Sequence, residues 1–424
     1  MIDRNIVGIG KGIPRLDAEL QLTGKCRYGA DIAMPGMLHC KILRPPMASA
    51  KILNIDYSEA LKLPGVAAVV TAKDIPGYNR YGMTLQDQPY IADDTVYQCS
   101  DTVAAVAAET EDIAENALKF IKVDYEPLPI VTDPREAMKE DSYKVHGGTS
   151  NIAYQRPIIR GDVEKGFAES AYILEQNLST PGIEHCSIET HAGISYIDQD
   201  SGDLCVRSSV QKPFELAVDI SKELNMPLSH IRVYSSCIGG GFGGKNETTF
   251  EPAIVLLTVK TGRPVRCDYT REEEFSATTV RHAYYIHYKT GISKEGKILA
   301  RAVNIISDCG AYVSWGASTL TKAAVHALGP YVIPNSRVDG YLVYTNNPVG
   351  GAMRGFGVTQ LGFAYEAHTE YCAEKIGMDS LEFRRLNLIH DRDTLPTEMI
   401  MEIVSVEDCL NRAIELAKEG GDWE

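Results

Sequence analysis

The chain has 424 residues, of which 44% are hydrophobic and 23% charged, and this ordinary balance excludes disordered, collagen-like and membrane-spanning classes. Its 42 lysines and arginines against 57 aspartates and glutamates give a formal charge of −15, which argues against nucleic-acid or acidic-membrane partners. The length predicts two or three domains, and 36 glycines with 20 prolines indicate many tight turns rather than a helical bundle.

The first part of the chain alternates short apolar strands with helical segments. We predict strands over 36–45 and 66–71, with a helix over 59–63 between them that Ser58 caps. A second unit of strand, helix and strand follows over 102–134. These two units together predict an α+β domain.

The middle of the chain reads as a connection between two domains. Residues 141–165 collect Gly, Ser, Asn and Pro without periodicity, which predicts a linker. We therefore divide the chain into an N-terminal domain over 1–140, this linker, and a second mixed domain over 166–424.

The second domain is predicted to be α+β as well. Short β-type runs recur after residue 167, at 172–179, 193–198, 204–210, 231–236, 264–270 and 282–293. Helical patterns occur between and after them, at 214–225, 247–262, 359–377 and 405–420.

The compartment is inferred from two absences in the sequence. The N-terminal segment lacks the continuous apolar core of a signal peptide, and no apolar run approaches the roughly 18 residues needed to cross a bilayer. We therefore expect a cytoplasmic protein.

Ten cysteines are scattered along the chain without any C-x-x-C pair. This spacing excludes zinc-ribbon, thioredoxin and iron–sulfur ligation patterns. In a cytoplasmic protein we expect all ten to be reduced, mostly buried thiols. Five histidines also lack metal-site spacing and are interpreted as structural: His185, His191, His282, His287 and His326.

The most distinctive local feature is a glycine-rich segment between a predicted strand and a predicted helix. Five glycines occupy six positions in 239–244. Glycine at this density lets backbone N–H groups converge on an anion or a closely approaching ligand. Lys245 is followed by Asn246 rather than Ser or Thr, which excludes a Walker A loop, and the surrounding layout is not that of a Rossmann unit.

A second glycine-rich stretch, 346–360, places Arg354 between paired glycines, with Phe356 beside it and a helix after it. An arginine in such a loop can contact phosphate or oxo ligands, or it can cap backbone carbonyls.

Taken together, these two loops and the segment 206–213 resemble the molybdopterin-binding subunits of the xanthine oxidase family of molybdenum hydroxylases. Further segments follow in the family's order, at 182–191, 308–312 and 326–335. Residues 24–56 and 63–77 resemble the family's N-terminal hammerhead domain. The implied fold is an α/β hammerhead domain followed by the first part of a molybdopterin-binding domain.

The resemblance implies roles for individual residues near the cofactor. Gln211 is similar to the glutamine that hydrogen-bonds an oxo ligand of molybdenum, and an amide can donate that bond. Gly241, Phe242 and Gly243 resemble the loop whose backbone approaches the metal and pterin, and Arg354 resembles an arginine whose backbone lies near the metal. No residue of this chain is expected to bind the metal directly.

The resemblance also implies a substrate region, and there the sequence departs from some members. Phe356 is similar to an aromatic residue that contacts a flat heterocycle. Asn246 replaces the glutamate of purine-oxidising members, and Lys322 replaces their arginine, which disfavours a purine. A copper-bridging cysteine, found in carbon monoxide dehydrogenases of the family, is replaced by Gly355.

The length of this chain resembles that of the large subunit in family members that hydroxylate nicotinate, in which the molybdopterin subunit is divided between two polypeptides. The implied reaction is therefore nicotinate to 6-hydroxynicotinate with water as the oxygen source. Lys322 and Tyr312 are candidates for binding the substrate carboxylate. Other family members continue for several hundred residues beyond the second loop. Either this chain is a truncation product or the subunit is divided between two polypeptides, and we expect the division. A second, smaller molybdopterin subunit would then complete the site and supply the glutamate base, since no catalytic residue is assigned in this chain.

The implied cofactor is molybdenum with molybdopterin, as the cytosine dinucleotide, with a terminal sulfido or selenido ligand. Further partners are an iron–sulfur subunit with 2Fe–2S clusters and an FAD subunit that passes electrons to NADP, in a dimer of heterotetramers. Two alternatives stay open: hydroxylation of another N-heterocycle or an aldehyde, and a non-catalytic subunit that only holds the cofactor.

Overall fold

The computed structural model describes residues 12–420, in which helices and sheets are mixed along the chain. The strands are β1 Leu38–Leu43, β2 Ala50–Asp56, β3 Val66–Val70, β4 Thr95–Val96, β5 Ala104–Ala108, β6 Lys122–Pro127, β7 Ile152–Arg160, β8 Tyr172–Thr180, β9 Ala192–Ile197, β10 Leu204–Ser208, β11 Ile231–Ser235, β12 Val265–Asp268, β13 Tyr284–Ile292, β14 Ile298–Gly310 and β15 Asn335–Tyr344. The helices are α1 Ala18–Leu22, α2 Glu111–Leu118, α3 Pro134–Ala137, α4 Val163–Ala168, α5 Pro213–Leu224, α6 Glu251–Thr261, α7 Arg271–Ala277, α8 Gly316–His326, α9 Val358–Ile376, α10 Ser380–Asn387 and α11 Val406–Glu419. The predicted α+β class is confirmed.

The largest sheet has seven strands in the order β11-β10-β9-β12-β1-β5-β3. Strand β1 pairs in parallel with β12, with Leu38 opposite Val265, so the N-terminal and middle parts of the chain share one sheet. Helices α5 and α6 pack on it, and α6 is buried along most of its length because it is apolar on every side.

A second sheet has five strands in the order β7-β15-β14-β13-β8, and its core is formed with helices α8 and α9. A small third sheet, β4-β2-β6, lies in the N-terminal part. No helix among residues 12–420 is long and apolar enough to span a membrane.

The stretch predicted as a linker, 141–165, contains strand β7 and the start of α4, so it is not an irregular connection throughout. The clustered Gly, Ser, Asn and Pro predict a linker, although Pro157 of this cluster lies within β7. Here it lies on an edge strand, opposite Asp339 of β15, where the missing N–H is tolerated.

Most predicted strands and the long helices exist close to their expected bounds. Helix α2 begins after Thr110, whose side chain accepts a hydrogen bond from the Ile113 N–H. The predicted helix 59–63 is wrong in type, since it is a 3-10 turn over Ala60–Lys62. Strands β14 and β15 were missed.

The cysteines are a further correction. Cys26 and Cys237 form a disulfide across 211 residues of sequence, whereas the eight other cysteines are free. The expectation of ten reduced thiols is therefore wrong for this pair. Cys237 also forms an isolated β-bridge with Tyr28. It lies two residues before Gly239, the first of the clustered glycines.

Candidate functional site

The two glycine-rich segments, far apart in sequence, meet in the structure. The first, residues 237–245, follows β11 of the seven-stranded sheet, and the second, residues 346–357, follows β15 of the five-stranded sheet. The Arg354 N–H donates to the Phe242 carbonyl over 2.8 Å. A β-carbon on Gly243 would lie 2.8 Å from the Ala352 carbonyl carbon, so the two backbones touch at this point. We refer to the two segments below as the first and second loop.

Gln211 reaches the first loop because β10 and β11 are parallel neighbours, and parallel strands bring their carboxyl ends to one edge. The Gln211 Oε1 accepts hydrogen bonds from the N–H groups of Gly243 and Lys245, each over 3.2 Å. These two donors fix the amide orientation. The Gln211 NH₂ group is consequently the end that remains available to donate to a ligand.

Beneath the first loop lies a buried ion pair. The Lys245 Nζ contacts the Glu189 Oε2 over 2.7 Å, and the two side chains are only 1% and 10% exposed. Glu189 also accepts from the N–H groups of Gly239, over 2.7 Å, and Gly29, over 3.0 Å. One carboxylate therefore fixes both ends of the loop. No sequence pattern indicates this role for Glu189, which lies 56 residues before Lys245.

The loop backbones adopt conformations that require glycine. Gly240 and Gly243 have φ of 107°, and the two phenylalanines at the loop tips, Phe242 and Phe356, have φ of 52°. Phe242 is 48% exposed despite its size. The loops thus hold two aromatic side chains in a left-handed backbone that costs stability, an arrangement typical of functional sites.

His185 supports the second loop from below. Its Nε2 lies 2.8 Å from the Ala352 carbonyl oxygen, and a β-carbon on Gly244 would lie 2.8 Å from its ring. Burial lowers the pKa of His185, so the ring is neutral at pH 7 and acts by packing and hydrogen bonding. This position agrees with the interpretation of His185 as a structural histidine.

The residues present fit a flat, anionic cofactor lying across the two loops. Within the described part of the chain, the N–H groups of Gly240, Gly241 and Phe242 have no protein acceptor, whereas those of Gly239 and Gly243 are satisfied internally. A β-carbon at Gly241 would lie 2.6 Å from the Gln211 Oε1, so only glycine allows this close approach. The site therefore offers backbone and amide donors on an open surface.

A cavity of about 390 Å³ begins beside the loops. Its walls come from three parts of the chain: Tyr81, Gly82, Met83 and Gln86; Val210 with seven residues of 212–222; and Asn246, Glu247 and Thr248. Asn246 is thus both next to the first loop and on the cavity wall, as a substrate residue would be. Trp315 joins the second loop to this region, since its ring lies 6.0 Å from that of Phe356, edge to face.

Glu247 is a buried carboxyl group on the cavity wall. It accepts a hydrogen bond from the Ser314 hydroxyl, and burial raises its pKa to about 7. Burial therefore favours the protonated form of this carboxyl group relative to an exposed glutamate. The sequence offered no sign of this residue, because burial cannot be read from a lone glutamate.

Tyr312 does not have the accessible position expected of a substrate-binding residue, whereas the role of Lys322 stays a prediction. Tyr312 is fully buried, and its hydroxyl donates to the Asp101 Oδ2 over 2.9 Å inside the core, so its hydroxyl cannot meet a substrate carboxylate. Lys322 lies exposed on α8, outside the lining of the cavity. The structure brings together Gln211, Gly241, Phe242, Gly243, Arg354 and Phe356, with Asn246 at the edge of the group.

Two family models match this chain. Residues 23–129 match the aldehyde oxidase and xanthine dehydrogenase a/b hammerhead domain, and residues 145–388 match the molybdopterin cofactor-binding domain. The predicted order of a hammerhead domain followed by a molybdopterin-binding domain is confirmed.

Similar proteins include two bacterial subunits. The nicotinate dehydrogenase large molybdopterin subunit of Eubacterium barkeri is 37% identical over 412 residues, which cover 97% of this chain and 96% of that protein. A probable xanthine dehydrogenase subunit of Bacillus subtilis (strain 168) is 39% identical over 384 residues, which cover 91% of this chain and 51% of that protein. The chain thus spans about half the length of the second relative.

Solved structures agree with this fold. The aldehyde oxidoreductase from Desulfovibrio gigas has a TM-score of 0.92 and 31% identity, over 96% of this chain and 46% of that one. Quinoline 2-oxidoreductase from Pseudomonas putida 86 has a TM-score of 0.90 and 28% identity, over 97% of this chain and 54% of that one.

Proposed function

The chain belongs to the xanthine oxidase family of molybdenum hydroxylases, and from that premise we propose that it is the large molybdopterin subunit of an enzyme that converts nicotinate to 6-hydroxynicotinate. The observation that carries this proposal is the pair of touching loops, with the Gln211 amide and three loop N–H groups free to donate on an open surface.

The cofactor assigned to this surface is molybdenum with molybdopterin, as the cytosine dinucleotide, with a terminal sulfido or selenido ligand. When bound, it supplies a two-electron oxidation in which a ring C–H and water give C–OH, two protons and two electrons. Gln211 would hold the metal's oxo group through its NH₂ donors, and the Gly240–Phe242 backbone would lie against the metal and pterin.

Within this chain, Phe356 and Asn246 are assigned to the substrate. Phe356 presents a half-buried aromatic ring against which a flat heterocycle can pack. Asn246 can donate and accept a hydrogen bond at the cavity wall, whereas a glutamate there would repel the carboxylate of nicotinate. The Lys245–Glu189 pair beneath the first loop fixes the backbone that leads into Asn246.

The remaining machinery is assigned to partner chains. A second, smaller molybdopterin subunit would cover the exposed loop face, including Phe242, and would supply the glutamate base. An iron–sulfur subunit and an FAD subunit would carry the electrons to NADP, in a dimer of heterotetramers. The similarity to the Eubacterium barkeri subunit over nearly its whole length supports a divided enzyme of this kind.

A second candidate is the oxidation of an aldehyde, which the name of the structurally similar Desulfovibrio gigas aldehyde oxidoreductase suggests. Purines are disfavoured because Asn246 stands where purine-oxidising members carry glutamate.

The test is a substrate panel on the enzyme as it purifies from its own host, in water enriched in ¹⁸O. We expect kcat/KM for nicotinate to exceed that for xanthine and for benzaldehyde by at least about tenfold. The product is expected to be 6-hydroxynicotinate with one ¹⁸O atom, measured by mass spectrometry. Turnover of xanthine or benzaldehyde alone would contradict the proposal.

A further inference from the structure

Lys212 is a cation beside the loops that has no role in the proposed cofactor site. Lys212 directly follows Gln211, and its Nζ lies over the Trp315 ring, 4.0 Å from the ring centre. The Trp315 ring in turn lies 6.0 Å from the Phe356 ring. Lys212, Trp315 and Phe356 therefore form a continuous row from the cavity to the second loop.

In this row the Lys212 ammonium group is partly shielded from solvent, and not all of its N–H donors have a protein acceptor among residues 12–420. Its side chain is 23% exposed and forms one ion pair, with the Glu215 Oε1 at 3.1 Å, and Glu215 is itself 48% exposed. An ammonium group has three N–H donors, so this exposed partner and the indole face leave donor capacity toward the cavity.

Other charged groups share the cavity wall with Lys212. Burial raises the pKa of Glu247 to about 7 and also raises the pKa of Asp219, which accepts from the Thr248 hydroxyl over 2.8 Å. Lys222 adds a second positive charge to the same wall. Burial thus favours the neutral form of two of the three acids that share this wall with Lys212 and Lys222.

A local cation matters because the chain as a whole carries a formal charge of −15, which repels anions. Of the two residues assigned to the carboxylate from sequence, Tyr312 is buried against Asp101, and Lys322 lies exposed on α8. Lys212 combines a place on the cavity wall with a direct link to the aromatic row.

We propose that Lys212 binds the carboxylate of a flat aromatic substrate whose ring packs against Phe356 and Trp315, and so sets the preference for aromatic acids. This deepens the proposed function and rests on the loop site, but it applies to any aromatic acid and not to nicotinate alone. A partly dehydrated charge-assisted hydrogen bond contributes about 1.5–3 kcal/mol, which corresponds to roughly 10- to 150-fold in kcat/KM.

The experiment compares acids with neutral analogues of the same shape in the assembled enzyme. The substrate pairs are nicotinate with nicotinamide, and 3-carboxybenzaldehyde with benzaldehyde. The variants are Lys212→Met, which keeps length and removes charge, and Lys212→Arg, which keeps charge. Lys165→Met, an exposed lysine on α4 outside the cavity lining, controls for the loss of one positive charge.

We expect Lys212→Met to lower kcat/KM for the acid of each active pair by about 10-fold or more relative to its neutral partner, mainly through KM. Lys212→Arg is expected to restore most of the preference, and Lys165→Met to leave it unchanged. Equal losses for acid and neutral substrate, which a merely structural role of Lys212 predicts, would overturn the proposal. So would a selective loss in Lys322→Met but not in Lys212→Met.

The two proposals fail separately in this design. If the wild-type enzyme oxidises 3-carboxybenzaldehyde but not nicotinate, the nicotinate assignment fails while the ratio for the aldehyde pair still tests Lys212.

A direct readout of binding uses Trp315, one of the two tryptophans of the chain. Nicotinate is expected to quench fluorescence in the wild-type enzyme, with the quench lost in Trp315→Phe and its midpoint shifted at least about 10-fold in Lys212→Met. An unshifted midpoint would overturn the proposal.

Discussion

Substituting Lys245 by methionine is expected to lower the free energy of unfolding by about 3–5 kcal/mol, because it leaves the Glu189 carboxylate buried without its cation. The same carboxylate fixes Gly239 and Gly29. The backbone of the first loop should therefore become disordered as the protein loses stability. Urea unfolding followed by circular dichroism, together with the molybdenum content of the assembled enzyme, measures both losses.

A double-mutant cycle separates this pair from simple loss of packing. Glu189→Gln alone is expected to be similarly destabilising, whereas the double variant should cost clearly less than the sum of the two. The exposed pair Lys51–Glu126, with both side chains 51% exposed, is the matched control, and Lys51→Met should change stability by less than about 1 kcal/mol. Additive losses at Lys245 and Glu189 would contradict the described role.

Substituting Gly243 by alanine is expected to separate the two loops and to abolish cofactor loading. The Gly243 backbone has φ of 107°, and the new β-carbon would overlap the carbonyl group of Ala352, which is backbone and cannot rotate away. We expect a loss of about 3 kcal/mol or more in stability of the loop region and molybdenum content below about one tenth of the wild type.

Gly202→Ala is the control for the backbone conformation alone. Gly202 has φ of 74°, but a β-carbon there meets open space within 4 Å. This variant should cost only about 1–2 kcal/mol and retain full molybdenum content. Equal behaviour of the two variants would show that contact between the loops is not what holds the site.

The two loops proposed to hold the cofactor could be predicted from sequence because their chemistry is local. Runs of glycine, the Gln211 segment and the order of motifs are visible without coordinates, and the structure brings these residues together. The supports of the loops could not be predicted. Glu189 and Lys245 pair across 56 residues, and nothing in either local pattern indicates the partner.

Substrate residues were harder to predict for the same reason. Tyr312 lies just after β14, and β14 went unrecognised in the sequence, so its position in the core against Asp101 was not foreseen. Nothing in the local sequence distinguishes Lys212, which directly follows Gln211, from a solvated surface lysine. Its significance depends on Trp315, which is 103 residues away and meets it only in the folded chain.

The central claim is that this chain carries one half of a molybdenum site on its two touching loops. Its most direct test is the number of molybdenum atoms per copy of this chain in the complex purified from its own host, by inductively coupled plasma mass spectrometry with quantitative peptide analysis. We expect about one molybdenum atom and one pterin per chain, together with a second molybdopterin-binding polypeptide. A folded chain that purifies alone, or a complex that contains no molybdenum, would contradict the claim.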